Sequence, residues 1–577
     1  MIKEEIKKLI ENSIETLQKQ RKLPKFDVFS KILVEQPKEE RHGDYATNIA
    51  IIIAKHCREN PLKIANLLSD KLKKAKELFS RVETASPGFI NFFLSQKILL
   101  FELKEILRKK DKYGQSKIGK GKTIIIDYSS VNIAKPFSVG HLRSTLIGQA
   151  IYNLYKFLGY KTIGDNHLGD WGTQFGKLIC AIKKWGNEKE IAKNPIKNLV
   201  ALYIKFHQEA EKNPALEEEG RRWFKKLEEG DKEAKRLWKK CVKWSLKEFN
   251  NLYKILEIKI DMSLGESFYR PMLESVIKES LKKKVAVKSQ GAVIIPFPKE
   301  ILPPLMIRKS DGATLYSTRD LAAIKYRRKK YKPYKIIYEV GAEQTLYFKQ
   351  LFWAAELLGW GKREDYVHIA HGMMRLPTGR MRTRKGETIL LEDLLKEAFE
   401  KAIKIVEEKN PGIKTRNKEE VAKIIGIGAI KYNNLSRKPL TDIIFKWDEA
   451  LNLEGNSGPY LQYSYVRAKS IIKKSKIKTI KFNKKWSFKE EKEVRLLKRL
   501  IRFPEVVEQA AKSYSPNLVC NYIFELAQDF NSFYESVPVL KEQDKNCRMA
   551  RLALVESTAQ VIKNGLNILG IKTLEEM

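Results

Sequence analysis

Lys135, Ser138, Gly140 and His141 lie in one short stretch, Asn132-Ile-Ala-Lys-Pro-Phe-Ser-Val-Gly-His-Leu-Arg-Ser-Thr145. Their types suit a polyphosphate. Lys135 brings a cation, Ser138 a hydroxyl, and His141 an imidazole that can donate to a phosphate oxygen. Gly140 lets a ligand approach the backbone closely. The apolar run Thr123-Ile-Ile-Ile-Asp-Tyr128 precedes them, and apolar residues at helical spacing follow from Leu142 to Leu158. A strand, a loop and a helix start in that order put unpaired N–H groups and a partial positive charge at the loop. Taken alone, a Gly-His pair is also an ordinary way to begin a helix.

Two further groups stand out. Tyr316 and Asp320 are four apart in Tyr316-Ser-Thr-Arg-Asp-Leu-Ala-Ala323. On a helix they share one face, where surface neighbours are the plain alternative. The stretch His371-Gly-Met-Met-Arg-Leu-Pro-Thr-Gly-Arg-Met-Arg-Thr-Arg-Lys-Gly386 gathers Arg375, Arg380, Arg382, Arg384 and Lys385 among glycines. Such a loop can neutralise charge developing on phosphates. A solvated basic loop or an RNA-backbone contact has the same composition.

The elements that position these residues follow from periodicity. Thr123–Tyr128, Lys335–Val340 and Tyr366–Ala370 are candidate strands, alternating with helical patterns over His141–Leu158 and Thr345–Leu358. Strand–helix alternation predicts an α/β fold with a doubly wound parallel sheet. Residues 191–250 predict a helical insertion or outer layer. Residues 1–115 predict a small N-terminal α/β domain, with helices over 2–23, 46–56 and 64–79 and strand pieces after Pro87-Gly88. Residues 116–400 hold this sheet and its insertion, and residues 401–577 predict an all-helical domain.

The composition sets outer limits. The chain has 577 residues, 43% hydrophobic and 31% charged, enough for large cores and too apolar for general disorder. Lys and Arg total 111 against 70 Asp and Glu, a net charge of +41. That excess points to a polyanionic partner, most simply nucleic acid. A lysine-decorated solvated surface accounts for part of it. No apolar run is long enough for a transmembrane helix, and the charged N-terminus lacks the apolar core of a signal peptide. Five scattered cysteines without a CxxC pair speak against a disulfide framework or Cys-based zinc site. A reducing cytoplasm fits.

The stretch from Asn132 to Thr145 resembles the adenylate-forming loop of arginyl-tRNA synthetases, which are class I enzymes with a Rossmann-type parallel-sheet catalytic domain and a HIGH-type motif at this place. Ser138-Val-Gly-His141 is the local match, with Ser138 in place of the first histidine. Asn166-His-Leu-Gly-Asp-Trp-Gly-Thr-Gln-Phe-Gly176 resembles the segment lining the nucleotide and amino-acid site. The loop from His371 is similar to the KMSKS-type loop, with Arg380-Met-Arg-Thr-Arg384 in place of the motif and no lysine in it. In the family a lysine before the HIGH-type motif supplies the missing charge, and Lys135 holds that place.

The resemblance implies further roles. ATP falls to Ser138, Gly140, His141, Met374 and Lys385, and catalysis to Lys135, His141, Arg384 and Lys385. Asp127, Asn132, Tyr316, Asp320 and Gln344 are carried onto positions that bind the arginine substrate. A guanidinium has five donors and no acceptor, so it needs such an acceptor set. Tyr460, Gln462, Tyr463 and Arg467 fall at the start of the DALR anticodon-binding domain, from about residue 453. Arg41-His-Gly-Asp-Tyr-Ala-Thr-Asn48 matches the additional N-terminal tRNA-binding domain. The expected partners are tRNA(Arg), ATP and L-arginine. Mg²⁺ is expected with the nucleotide, without a dedicated protein metal site. No membrane partner is expected, and the chain is expected to be a cytoplasmic monomer. Another class I synthetase, or a catalytically dead RNA-binding paralogue, is the rival reading.

Overall fold

A computed structural model describes residues 1–27, 29–375, 377, 390–409 and 415–576 of the protein. The first helix, Ile2–Lys19, buries Ile2, Ile6, Ile10, Ile14 and Leu17 at helical spacing. Helices Ile49–Cys57 and Pro61–Leu72 accompany an antiparallel sheet of β1 (Tyr45–Thr47), β2 (Phe79–Ala85) and β3 (Phe89–Leu94), in the order β1-β3-β2. The periodicity predicted one helix over 64–79. It ends instead at Leu72, and Phe79 opens β2. Short apolar spacings of this kind satisfy helix and strand alike.

The central sheet contains β4 (Thr123–Asp127) and β5 (Lys161–Asp165). A small antiparallel sheet follows, made of β6 (Val287–Ser289), β7 (Ala292–Ile295) and β8 (Leu305–Arg308). The chain then returns to the central sheet as β9 (Lys335–Gly341) and β10 (Tyr366–His371). The order is β10-β9-β4-β5, and every pairing is parallel. Ile124, Ile125 and Ile126 are fully buried, as in a strand covered on both faces. β5 carries no comparable apolar run. It is an edge strand whose Gly164 lies against Tyr128 and the Lys259 carbonyl.

The helix Val139–Phe157 joins β4 to β5 and ends before Gly159, whose φ of +83° is favoured in glycine. Between β5 and β6 the insertion is helical, with Pro195–Lys212, Ala215–Glu229 and Lys232–Ile255 as its long members. Beyond Leu391 the described chain is mostly helical. Lys545–Ile568 packs against Gly458–Lys474 and Asn517–Ser536. The N-terminal domain meets this bundle through Lys498–Asp44 at 2.7 Å and the Tyr45 hydroxyl donating to Glu505 at 2.8 Å. Among the described residues, no helix is long and apolar enough to cross a membrane. All five cysteines are free.

Candidate active site

The parallel strands end together at Asp127, Asp165, Gly341 and His371, the edge where such sheets bind ligands. The loop leaving β4 holds three non-glycine residues at positive φ: Ser129 at 73°, Ser130 at 46° and Ala134 at 59°. Strained backbone of this kind persists only where its surroundings fix it. Here the Ser129 N–H donates to Ser144 Oγ at 3.1 Å, and Ser129 Oγ lies 2.8 Å from both the Tyr253 hydroxyl and Thr145 Oγ1. The Ala134 N–H donates to Ser245 Oγ at 3.0 Å. Ser144 and Thr145 come from the helix that follows, and Tyr253 and Ser245 from the insertion. The insertion is therefore part of the scaffold of the loop.

Ser138 is the N-cap of the helix Val139–Phe157. Its N–H donates to His141 Nδ1 at 3.3 Å, and its hydroxyl lies 3.0 Å from the same nitrogen. Phe137 sets an edge-to-face contact with the imidazole at 5.7 Å. Burial and the nearby Lys135 cation both lower the His141 pKa, so the ring is neutral near pH 7. Lys135 is exposed at the loop, and Gly140 lies in the first helical turn. The chain coming back from the basic loop docks on the same spot. The Leu391 N–H donates to the Phe137 carbonyl at 2.9 Å, and Leu390 bridges Ser138. Arg380, Arg382, Arg384 and Lys385 lie outside the described residues. Met374 is buried in β11 (Met374–Arg375), which pairs in parallel with β12 (Ile443–Ile444). Its side chain belongs to the main hydrophobic core.

The acceptor residues come from four segments. Tyr316 and Asp320 lie in the first turns of the helix Tyr316–Tyr331, on the face its spacing predicted. The Tyr347 hydroxyl donates to Asp320 Oδ2, and His167 Nε2 is 3.6 Å from Asp320 Oδ1. Burial raises the Asp320 pKa, against the pull of His167 and the hydrogen bond from Tyr347. Tyr316 is half exposed and meets Tyr347 edge-on at 4.8 Å. Gln344 is exposed at the start of the helix Thr345–Leu357. Asn132 pairs with Gly169, where any Cβ would overlap the Asn132 amide oxygen. Asp127 is buried, with Oδ2 taken by Arg327 at 2.6 Å and Oδ1 accepting from Ser130 Oγ at 3.1 Å.

Several participants went unmarked in the sequence. His167 stands inside the Gly-Asp-Trp-Gly string, and Tyr347 lies three residues after Gln344, so both were within reach. Glu266 gave no periodic or motif signal. It pairs with Arg319 at 3.4 Å, and burial raises its pKa, opposed by Arg319 and His167. Asp170, in the same string as His167, accepts from the Ser267 N–H at 2.9 Å and the Ser267 hydroxyl at 2.6 Å. That bond fastens the string to the segment carrying Glu266.

Of the four residues expected at RNA, Tyr463 is exposed and Arg467 half-buried, 3.1 Å from Asn531 Oδ1. Tyr460 and Gln462 point inward. The Tyr460 hydroxyl accepts from Asn531 at 2.9 Å, and the Gln462 amide donates to the Lys572 carbonyl at 2.8 Å. The structure thus gives Gln462 the work of holding the C-terminal tail.

Comparison with known proteins agrees with this layout. Residues 102–447 match the family of class I (R) tRNA synthetase catalytic domains. Residues 4–94 match the arginyl tRNA synthetase N terminal domain, and residues 461–577 the DALR anticodon binding domain. The arginine–tRNA ligase of Clostridium botulinum strain Langeland is 46% identical over 547 residues, covering 94% of this chain and 96% of the relative. The chain belongs to the arginyl-tRNA synthetases. The arginine–tRNA ligase of Halothermothrix orenii is likewise 46% identical, over 94% of this chain and 95% of its own. The crystal structure of the Plasmodium falciparum arginyl-tRNA synthetase superposes with a TM-score of 0.85 at 28% identity, covering 100% of this chain and 99% of that one. The Thermus thermophilus arginyl-tRNA synthetase shares the fold, with a TM-score of 0.83 at 24% identity over the full length of both chains. The Rossmann-type catalytic domain and helical anticodon-binding domain expected of an arginyl-tRNA synthetase are both present.

Proposed function

We propose that this protein joins L-arginine to tRNA(Arg) in two steps, using the residues placed above. In the first, the arginine carboxylate attacks the α-phosphorus of ATP, and the bond to pyrophosphate breaks. In the second, a hydroxyl of the 3′-terminal ribose attacks the acyl carbon of the adenylate, and AMP leaves. Neither step needs a covalent enzyme intermediate, so the protein contributes positioning and charge stabilisation. The observation that carries this reading is one edge of one sheet that holds two kinds of site. A capped helix start with His141 and Lys135 suits phosphates, and the Tyr316–Asp320–Tyr347 cluster suits a guanidinium.

His141 donates to a phosphate oxygen from Nε2, because Nδ1 is occupied by the Ser138 N–H. Lys135 neutralises charge developing on the pyrophosphate, with Arg384 and Lys385 of the basic loop as assistants. Asp320 and Tyr316 read the guanidinium, while Asn132 and Gln344 orient the α-amino end; Asp127, with one oxygen on Arg327 and the other on Ser130, holds the loop instead of the substrate. Mg²⁺ enters on the phosphates of the nucleotide. Tyr463 and Arg467 face the anticodon arm. The protein acts as a cytoplasmic monomer. Pyrophosphate exchange with each amino acid, with and without tRNA, tests the reading. Exchange with arginine supports it. Exchange with none, alongside intact tRNA binding, would favour an RNA-binding paralogue.

A further inference from the structure

One row of residues crosses the active-site end of the sheet in register. Asp165 on β5 is paired with Asp127 on β4, and Asp127 with Tyr338 on β9. Neighbouring strands lie about 4.8 Å apart, so two carboxylates on adjacent strands repel unless a cation sits between them. That cation is Arg327. Its Nη2 donates to Asp127 Oδ2 at 2.6 Å and to Asp165 Oδ2 at 2.6 Å, and its Nε donates to Asp165 Oδ2 at 3.0 Å. Its guanidinium carbon stands 5.5 Å from the centre of the Tyr338 ring. Arg327 is fully buried, so no solvent screens the cluster.

Arg327 also belongs to the helix that carries Tyr316 and Asp320, eleven and seven residues downstream of them on the same face. The cluster therefore ties that helix to two strand ends. Through the other oxygen of Asp127 it reaches Ser130, at 3.1 Å, and the strained loop leading to Asn132. The geometry poses a chemical problem for an enzyme that must bind a free guanidinium. Asp165 and Asp127, whose charge is felt at Asp320, would offer that group a ready acceptor pair. Arg327 occupies them with a guanidinium of the chain itself.

We propose that Arg327 is a positioning residue for substrate recognition. It closes Asp127 and Asp165 into an internal ion cluster, which directs the guanidinium of arginine to Asp320 and fixes that helix relative to the loop carrying Asn132. Arg327 touches no reacting atom. Its loss misplaces arginine in the pocket more than it disturbs the nucleotide side, where Ser144, Thr145, Tyr253 and Ser245 hold the loop independently.

The inference rests on the arginine-ligase reading. The test uses the full-length protein with tRNA in a charging assay, comparing wild type with R327K and R327M/D165N. R327K keeps the cation but not the fork, and R327M/D165N keeps the net charge of the cluster. Circular dichroism reports the fold. In folded variants the KM for arginine rises about tenfold or more, the loss of one charged hydrogen-bond set, while the KM for ATP stays within about twofold. Methylguanidinium, a probe with the guanidinium alone, inhibits R327M/D165N at least as well as wild type. R327K is the milder of the two. An arginine KM unchanged in R327K and R327M/D165N would overturn the proposal. So would parallel rises for arginine and ATP with a fall in Tm, which a merely structural role gives. Failure of the wild type to charge arginine would strike the underlying reading instead.

Discussion

The backbone N–H of Ser138 donates to Nδ1 of His141 at 3.3 Å, and the Ser138 hydroxyl lies 3.0 Å from the same atom. A backbone N–H can only donate, so Nδ1 is the acceptor and the neutral ring carries its proton on Nε2. Where the family's motif has a first histidine, the serine here caps the helix and orients the second. His141→Asn removes the outward donor, and adenylate formation should fall by about 10² or more, as for other preorganised donors aimed at developing charge. Single-turnover adenylate formation measures this.

The same contact gives a pH dependence. Protonation at Nδ1 would turn the acceptor into a donor facing the Ser138 N–H. Burial and the Lys135 cation lower the His141 pKa, so the contact survives to lower pH than for an ordinary histidine near about 6.5. Removing the cation works in the opposite direction. In Lys135→Ala the acid limb of the rate profile should move to higher pH, and adenylate formation should fall far more than tRNA affinity. A limb that stays in place, or equal losses in both, would contradict the role of Lys135.

Asp320 must be ionised to hold a guanidinium. Its pKa is raised by burial, so arginine binding should weaken on acidification at a higher pH than for an aspartate near about 3.9. Asp320→Asn should flatten that dependence. It should also raise the arginine KM by tens of fold, on the order of 1.5–3 kcal/mol for a hydrogen bond to a charged group. Steady-state charging between pH 5 and 8 reads both effects.

Gly169 leaves room for the side chain of Asn132. Gly169→Ala should push the Asn132 amide aside and raise the arginine KM, with Tm changed by only a few degrees. A crystal structure of the variant with Asn132 unmoved, or an unchanged KM, would remove Asn132 from the pocket.

Lys476, Lys478, Lys481 and Lys484 are all exposed in the connection after the helix Gly458–Lys474. If they meet RNA phosphates, replacing all four with Gln should reduce the slope of log affinity against log salt by about 3. An unchanged slope would return them to a solvated surface and leave that share of the +41 charge unassigned.

The legible parts of the chain were those where one local signal sufficed. Three buried isoleucines marked β4, and the i, i+4 spacing of Tyr316 and Asp320 placed both on one helix. β5 escaped because an edge strand with Gly164 has no apolar run to announce it. Arg327 escaped because its partners lie 162 and 200 residues away in sequence. A lysine-rich helix end such as Lys325-Tyr-Arg-Arg-Lys-Lys-Tyr331 gives no sign of which cation turns inward. Gln462 carries the same lesson: a polar residue beside exposed Tyr463 is itself fully buried.

An arginyl-tRNA synthetase must read a guanidinium and join its bearer to tRNA. Charging of tRNA(Arg) with L-arginine, L-lysine and L-citrulline, compared by kcat/KM, tests it most directly. Citrulline keeps the shape without the charge, and lysine keeps the charge without the planar fork. Efficient charging is expected with arginine, and losses of about 10⁴ or more with the other two. Comparable efficiency with either competitor, or no charging with arginine, would contradict it.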